Sequence, residues 1–169
     1  MKFGAPRPLE PSDELGEFQC GDEGLDEWLK KYAMTNHKSG SARVFVVEDP
    51  EQPKRIVAYY CFSSSSIERA RATDRAAKTM PDPVPGFLVG RLAVHKDFKG
   101  SGLGKGLLRD VIARAVRLSE EIASRVIIVH ALNEDAMDFY RHFEFESSPL
   151  DDLHLMLLMK DAKAIVNRP

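Results

Sequence analysis

Residues Val89–Leu108 read VGRLAVHKDFKGSGLGKGLL, and this stretch decides the fold. Phe87–His95 is nearly continuous in apolar residues apart from Gly90 and Arg91, which predicts a buried strand. Leu103, Leu107, Leu108, Val111, Ile112, Ala115, Val116 and Leu118 then recur on one broad face, which predicts a long helix over Leu103–Ile122. Between them lies a glycine-rich turn, GSGLG at 100–104. Glycines let the backbone approach a ligand closely, and the first amides of a helix point outward at its positive end. Together they suit a phosphate or pyrophosphate. Two familiar phosphate loops fail on spacing. A dinucleotide fingerprint needs glycine where Leu107 stands, and a P-loop needs glycine at Lys99 and a hydroxyl residue at Gly106. A plain strand-to-helix connection uses the same glycines, so the turn alone serves either purpose.

Working outward, Asp22–His37 has apolar residues at helical spacing, with Asp22 as N-cap and Gly40 as stop. Ala42–Glu48 and Arg55–Ser64 predict strands joined by a hairpin, and Ala70–Thr79 a short helix ended by the proline-rich Pro81–Pro85. Arg125–Val129 predicts a buried strand, Asn133–His142 a helix and Leu153–Met159 a last strand. This order gives an α/β protein with a central mixed sheet flanked by helices, and no linker or repeat divides the 169 residues, so 1–169 reads as a single domain.

Hydrophobic residues make up 43 % and charged residues 30 %, enough for one sizeable core and too apolar for a disordered chain. A net charge of −2 excludes a globally basic nucleic-acid binder but leaves room for a local basic face. Lys30, Lys31, Lys38 and Arg43 fall in a stretch without acids, while Glu10–Glu27 holds eight acids and no base. Arg75, Lys78 and Arg91 extend the basic set, and Arg91 interrupts an apolar strand, where a charge needs a partner or a ligand. Cys20 and Cys61 lack metal or redox spacing and read as buried thiols of a reducing compartment. No signal peptide or bilayer-length apolar run is present, so a cytoplasmic protein away from membranes is expected. The five histidines show no metal-ligand spacing, so no metal is expected. His130, ending its strand, is a satisfied strand-end histidine or a base.

Two motifs resemble those of the GNAT acetyltransferases. Lys99, Gly102 and Gly104 are similar to the [Q/R]-x-x-G-x-[G/A] coenzyme A loop, with Lys99 in place of Gln or Arg. Asn133, Ala136, Phe139, Tyr140 and Phe145 match N-x-x-A-x-x-F-Y-x-x-x-G-F, with Glu144 in place of glycine. The resemblance implies the GNAT fold, a mixed and mostly antiparallel sheet flanked by helices, with acetyl-CoA as co-substrate. It places Lys99, Gly100, Ser101, Gly102, Leu103, Gly104 and Lys105 at the pyrophosphate, and Asn133 at the pantetheine arm. Leu92, Ala93 and Val94 become the splayed strand that polarises the thioester, and Tyr140 the acid for the departing thiolate. A tyrosine hydroxyl of pKa near ~10 suits that donation.

Over roughly residues 7–160 the chain also resembles the GNAT toxins of bacterial toxin–antitoxin pairs. The resemblance rests on Phe18, Cys20, Leu25, Asp26, Trp28 and Leu29, then on Gly40, Ala42 and Arg43, and is continued by Gly90–Val94 and Ser148–Asp151. It implies acetylation of the α-amino group of aminoacyl-tRNA, a ribbon-helix-helix antitoxin and a homodimer. An α-amino group titrates near ~7.7–8.0, and an adjacent ester lowers it further, so no strong base is required. The basic residues at 30, 31, 38, 43, 75, 78 and 91 would then hold RNA phosphates. Acetylation of a small amine or a protein terminus is the alternative, and the acidic block Glu10–Glu27 keeps a polyamine acceptor open. A non-catalytic module that binds acetyl-CoA is a second.

Overall fold

The computed structural model describes residues 2–169. In chain order the elements are β1 (Arg7–Pro8), α1 (Glu23–Lys31), α2 (Ala33–Ser39), β2 (Arg43–Asp49) and β3 (Gln52–Ile67). A 3-10 turn at Arg69–Arg71, α3 (Asp74–Ala77), β4 (Val84–Val94) and a 3-10 turn at Lys96–Phe98 follow. The chain ends through α4 (Leu103–Leu118), β5 (Val126–His130), α5 (Glu134–His142), β6 (Glu146–Ser147), β7 (His154–Leu158) and α6 (Met159–Val166). The seven strands form one sheet in the order β1-β2-β3-β4-β5-β7-β6. β4 and β5 are parallel, while β1–β2, β2–β3, β5–β7 and β6–β7 are antiparallel, so the sheet is mixed as expected.

By internal packing the chain divides into two units. The first comprises the chain up to Ser63 with Gly90–Asp110. Its core gathers Leu9, Phe18, Leu29, Val44, Val46, Tyr59 and Ala93, with Trp28 packed against it. Asp22 caps α1 as expected, its Oδ1 accepting from the Leu25 amide at 2.8 Å, a contact worth ~1 kcal/mol. The single helix expected over Asp22–His37 is instead two. The chain breaks at Tyr32, whose φ of −121° leaves the helical range, and Gly40 then ends α2 in the left-handed region at φ 84°.

The second unit comprises Ser64–Val89 with Val111–Pro169. Ala76, Val84, Val126, Ile128, Met156 and Leu158 form its core, each large aliphatic side chain contributing ~1.5–3 kcal/mol by burial. Gly86 pairs with Val126 in β5. A Cβ on Gly86 would lie 2.9 Å from Ile128 Cδ1 and 3.0 Å from the Val126 carbonyl oxygen, so close strand approach requires glycine there. The helix expected over Ala70–Thr79 shortens to a 3-10 turn and α3, and α4 stops at Leu118 rather than Ile122. β1, β6 and α6 were not expected.

Candidate functional site

The glycine loop lies in the first unit. β4 is laddered to β5 through Gly86–Val89 and then runs on to Val94. Ala93 is buried there, while Leu92 and Val94 are half-buried. His95 turns the chain into the loop. Its amide donates to the Val57 carbonyl at 2.8 Å, and its Nδ1 accepts from the Asp97 amide at 3.1 Å, capping the 3-10 turn. Sequence reasoning gave His95 no role; the only signal was a buried-strand histidine two residues before an aspartate.

Gly100 and Gly102 take φ values of 79° and 86°, where a residue with a Cβ is strained by ~1–2 kcal/mol. A Cβ on either would meet nothing within 4 Å, so the constraint is conformational and the space before them is open. The first helical hydrogen bond of α4 runs from the Gly106 amide to the Gly102 carbonyl at 3.0 Å. The amides of Leu103, Gly104 and Lys105 therefore precede the intrahelical ladder and remain donors at the positive end of a 16-residue helix. This arrangement fits an anionic pyrophosphate. Ser101 spends its hydroxyl on the Phe98 carbonyl, and Lys99 donates its ammonium to the Cys20 carbonyl. Lys99 thus anchors the loop to the Phe18–Cys20 segment. A cleft of about 650 Å³ opens beside the loop, lined in part by Lys2, Phe3, Gly102, Gly106 and Arg109. The short Lys2–Pro6 stretch carries no motif that could have announced it.

Asn133 and Tyr140 lie in the second unit, on α5. Asn133 Oδ1 accepts from the Ala136 amide at 3.0 Å, which caps the helix, fixes the side chain and leaves Nδ2 as an exposed donor. Tyr140 is 7 % exposed and packs against Phe139 and Phe145 at ring distances of 5.3 and 5.5 Å. Glu144, at the motif's glycine position, keeps the glycine-like backbone with φ 72°, and an ion pair to Arg168 at 3.0 Å accompanies it. His130 stacks on His154 with centroids 4.2 Å apart, and His154 lies 3.6 Å from Asp151. Burial, followed by the His154 charge, holds His130 below its ordinary value against the pull of Asp151.

Of the candidate RNA-binding cations, Lys30, Lys31, Lys38, Arg43 and Arg91 belong to the first unit, Arg75 and Lys78 to the second. Lys30 and Lys31 end α1, where the helix dipole favours cations, and Lys31 pairs with Glu27 at 3.4 Å. Lys38 is exposed near the end of α2, and Arg43 donates to the His37 carbonyl. Arg91 finds its partner in Trp28, with the guanidinium 4.4 Å from the ring centroid, a contact of ~0.5–2 kcal/mol. Arg75 is held by Glu146 and Asp161. Burial, then Asp26, pushes the Cys20 thiol up to about 11, and burial also raises Cys61. Among the described residues no group of His, Cys, Asp and Glu is arranged to hold a metal, and no helix is long and apolar enough to cross a membrane.

A mixed sheet that feeds an open glycine cradle at the head of a long helix, with an Asn-capped tyrosine helix after the next strand, is the framework of an acyl-coenzyme A transferase. The chain belongs to the GNAT acetyltransferase family: residues 40–147 match the Acetyltransferase (GNAT) domain, and the protein is an N-acetyltransferase. It is 46 % identical over 164 residues to the tRNA-acetylating toxin of Mycobacterium tuberculosis (strain ATCC 25618 / H37Rv), covering 97 % of each chain. It is 23 % identical over 175 residues to the probable toxin TacT of Sinorhizobium fredii (strain NBRC 101917 / NGR234), covering 96 % of each. Among solved structures, AtaT complexed with acetyl-methionyl-tRNAfMet has the same fold, with a TM-score of 0.87 at 23 % identity over 95 % of this chain and 98 % of that one. A Tyr-to-Phe mutant of KacT matches with a TM-score of 0.86 at 26 % identity, covering 91 % and 92 %.

Proposed function

We propose that the protein is a toxin that uses acetyl-CoA to acetylate the α-amino group of aminoacyl-tRNA and so blocks translation. The observation that carries this reading is the 46 % identity, over 97 % of both chains, to a tRNA-acetylating toxin. Acetyl-CoA supplies the acetyl group as a thioester. The Leu103–Lys105 amides and the loop from Lys99 to Gly102 hold its pyrophosphate, and Asn133 Nδ2 donates to the pantetheine arm. The Leu92–Val94 backbone polarises the thioester carbonyl; a single donor to such an oxygen is worth ~2.7–4 kcal/mol.

The acceptor nitrogen bonds to the carbonyl carbon as the carbon–sulphur bond breaks. Tyr140 gives its hydroxyl proton to the departing sulphur, and water takes the surplus amine proton and restores the tyrosine. The acceptor amine is already partly neutral at neutral pH, which makes a strong base unnecessary. His130, engaged with His154, is left out of the chemistry. Lys30, Lys31, Lys38 and Arg43 are exposed for RNA phosphates, Lys31 beside an exposed pair to Glu27 and Arg43 with a hydrogen bond to the His37 carbonyl, whereas Arg75 is held by two carboxylates and Arg91 lies over Trp28. The protein acts in the cytoplasm as a homodimer restrained by a ribbon-helix-helix antitoxin.

Tyr140→Phe tests the assignment of the acid. Turnover should fall by ~10²–10⁴-fold, as for loss of a general acid, while acetyl-CoA binds as to wild type. Wild-type turnover in this variant would contradict it.

A further inference from the structure

A second concavity, of about 900 Å³, lies wholly within the second unit, away from any residue assigned above except Arg75 and Lys78. Its volume is in the range of ligand-binding clefts. Lys78, the C-cap of α3, and Lys160 and Lys163 of α6 line it, and Met80, Pro85 and Leu158 supply apolar lining. The two arginines present are already spent. Arg75 pairs with Glu146 and Asp161, and Arg125 donates to the Arg75 and Ala76 carbonyls at 2.9 and 3.2 Å. The three lysines have no ion pair among the described residues, and all are exposed.

Lys160 sits in the first turn of α6, where the helix dipole disfavours a cation, whereas Lys163 stands in the last turn, where the dipole favours one. The two lie at i+3, a like-charge spacing, and three exposed lysines gathered around one concavity favour an anionic occupant. The apolar lining identifies its class. Phosphates would satisfy the lysines but leave the half-buried Met80 and Pro85 uncovered, and no aromatic ring lines the cleft on which a base could stack. Carboxylates flanking an aliphatic side chain satisfy both parts.

We propose that this cleft binds an acidic peptide segment of a partner protein, with an aliphatic residue seated on Met80 and Pro85 and carboxylates at Lys78, Lys160 and Lys163. The proposal is independent of the amine that the enzyme acetylates.

Fluorescence anisotropy of the whole protein with a labelled peptide, glutamates around a central leucine, tests it. Saturable binding is expected, weakened about tenfold or more in Lys160→Glu/Lys163→Glu and by a smaller factor in Lys160→Gln/Lys163→Gln, as for charge-paired contacts. Lys2→Glu/Lys96→Glu, with the same charge change in the other unit, should bind as wild type. The peptide with alanine for leucine should bind several-fold more weakly. Glutamate gains at position 160, in the first turn of α6, about what it loses at 163, in the last, so the reversed variant should melt close to wild type. Absence of saturable binding, equal binding by the reversed variant, or no effect of the leucine would overturn the proposal. Displacement of the peptide by a short RNA duplex at equal concentration would replace it with a nucleic-acid site.

Discussion

Glu144 holds a backbone conformation, φ 72°, that an L-residue adopts at a cost of ~1–2 kcal/mol and glycine adopts freely. Glycine there would recover that strain but release more chain entropy on unfolding, an opposing ~0.4–1 kcal/mol. It would also lose the Glu144–Arg168 ion pair. The side chains of that pair are 50 % and 59 % exposed, so solvent screening leaves the contact weak. The three effects separate with Glu144→Ala, which loses the ion pair and keeps the strain. Glu144→Ala should therefore fall below wild type by the ion-pair amount. Glu144→Gly should exceed Glu144→Ala by ~0.5–1 kcal/mol, or ~1–4 °C in melting temperature for a chain of this size. Urea unfolding and thermal melts of the three proteins, with Arg168→Ala as a further control, give these differences. If Glu144→Gly is no more stable than Glu144→Ala, the left-handed turn is not what this position demands.

Gly86→Ala puts a methyl group 2.9–3.0 Å from Ile128 and Val126 of β5, so a loss of ~1–3 kcal/mol by overpacking and a lower melting temperature are expected. Asp13 is held below the usual carboxylate range: burial acts to raise it, but the Arg7 hydrogen bonds at 2.7 and 3.0 Å and the Glu10 amide at 2.8 Å outweigh burial. Its contribution is therefore fully present above the unfolded value of ~3.9 and is lost as pH falls through the lower folded value. Asp13→Asn should flatten the acid limb of stability against pH, and an unchanged limb would refute the assignment. Cys20 and Cys61, buried and shifted toward the thiol form, should resist iodoacetamide at neutral pH until denaturant is added, as mass spectrometry would report.

The loop was legible because Gly100, Gly102 and Gly104 stand between a continuous apolar strand and a strongly periodic helix, two signals that need no tertiary context. The N-cap at Asp22 was legible for the same local reason. The break at Tyr32 was hidden because Leu29 and Ala33, on either side of it, are both buried, so the apolar spacing runs through it unaltered. β1 and β6, two residues each, form only because a neighbouring strand lends its ladder. α6 was masked by the apolar Leu153–Met159 run that leads into it. Arg91 was flagged as needing a partner, but its seat over Trp28 joins residues far apart in sequence, and no spacing rule connects them. The occupancy of Arg75 by Glu146 and Asp161 was hidden likewise.

The central claim is transfer of acetyl to a charged tRNA. Labelled acetyl-CoA should be incubated with a mixture of aminoacyl-tRNAs, with the same tRNAs deacylated, and with Tyr140→Phe protein beside wild type. Label on charged tRNA alone, and with wild type alone, is the predicted result, and the labelled amino acids would define the acceptor set. Acetyl-CoA binding without label on any tRNA would contradict the toxin reading and direct the search to small amines and protein termini.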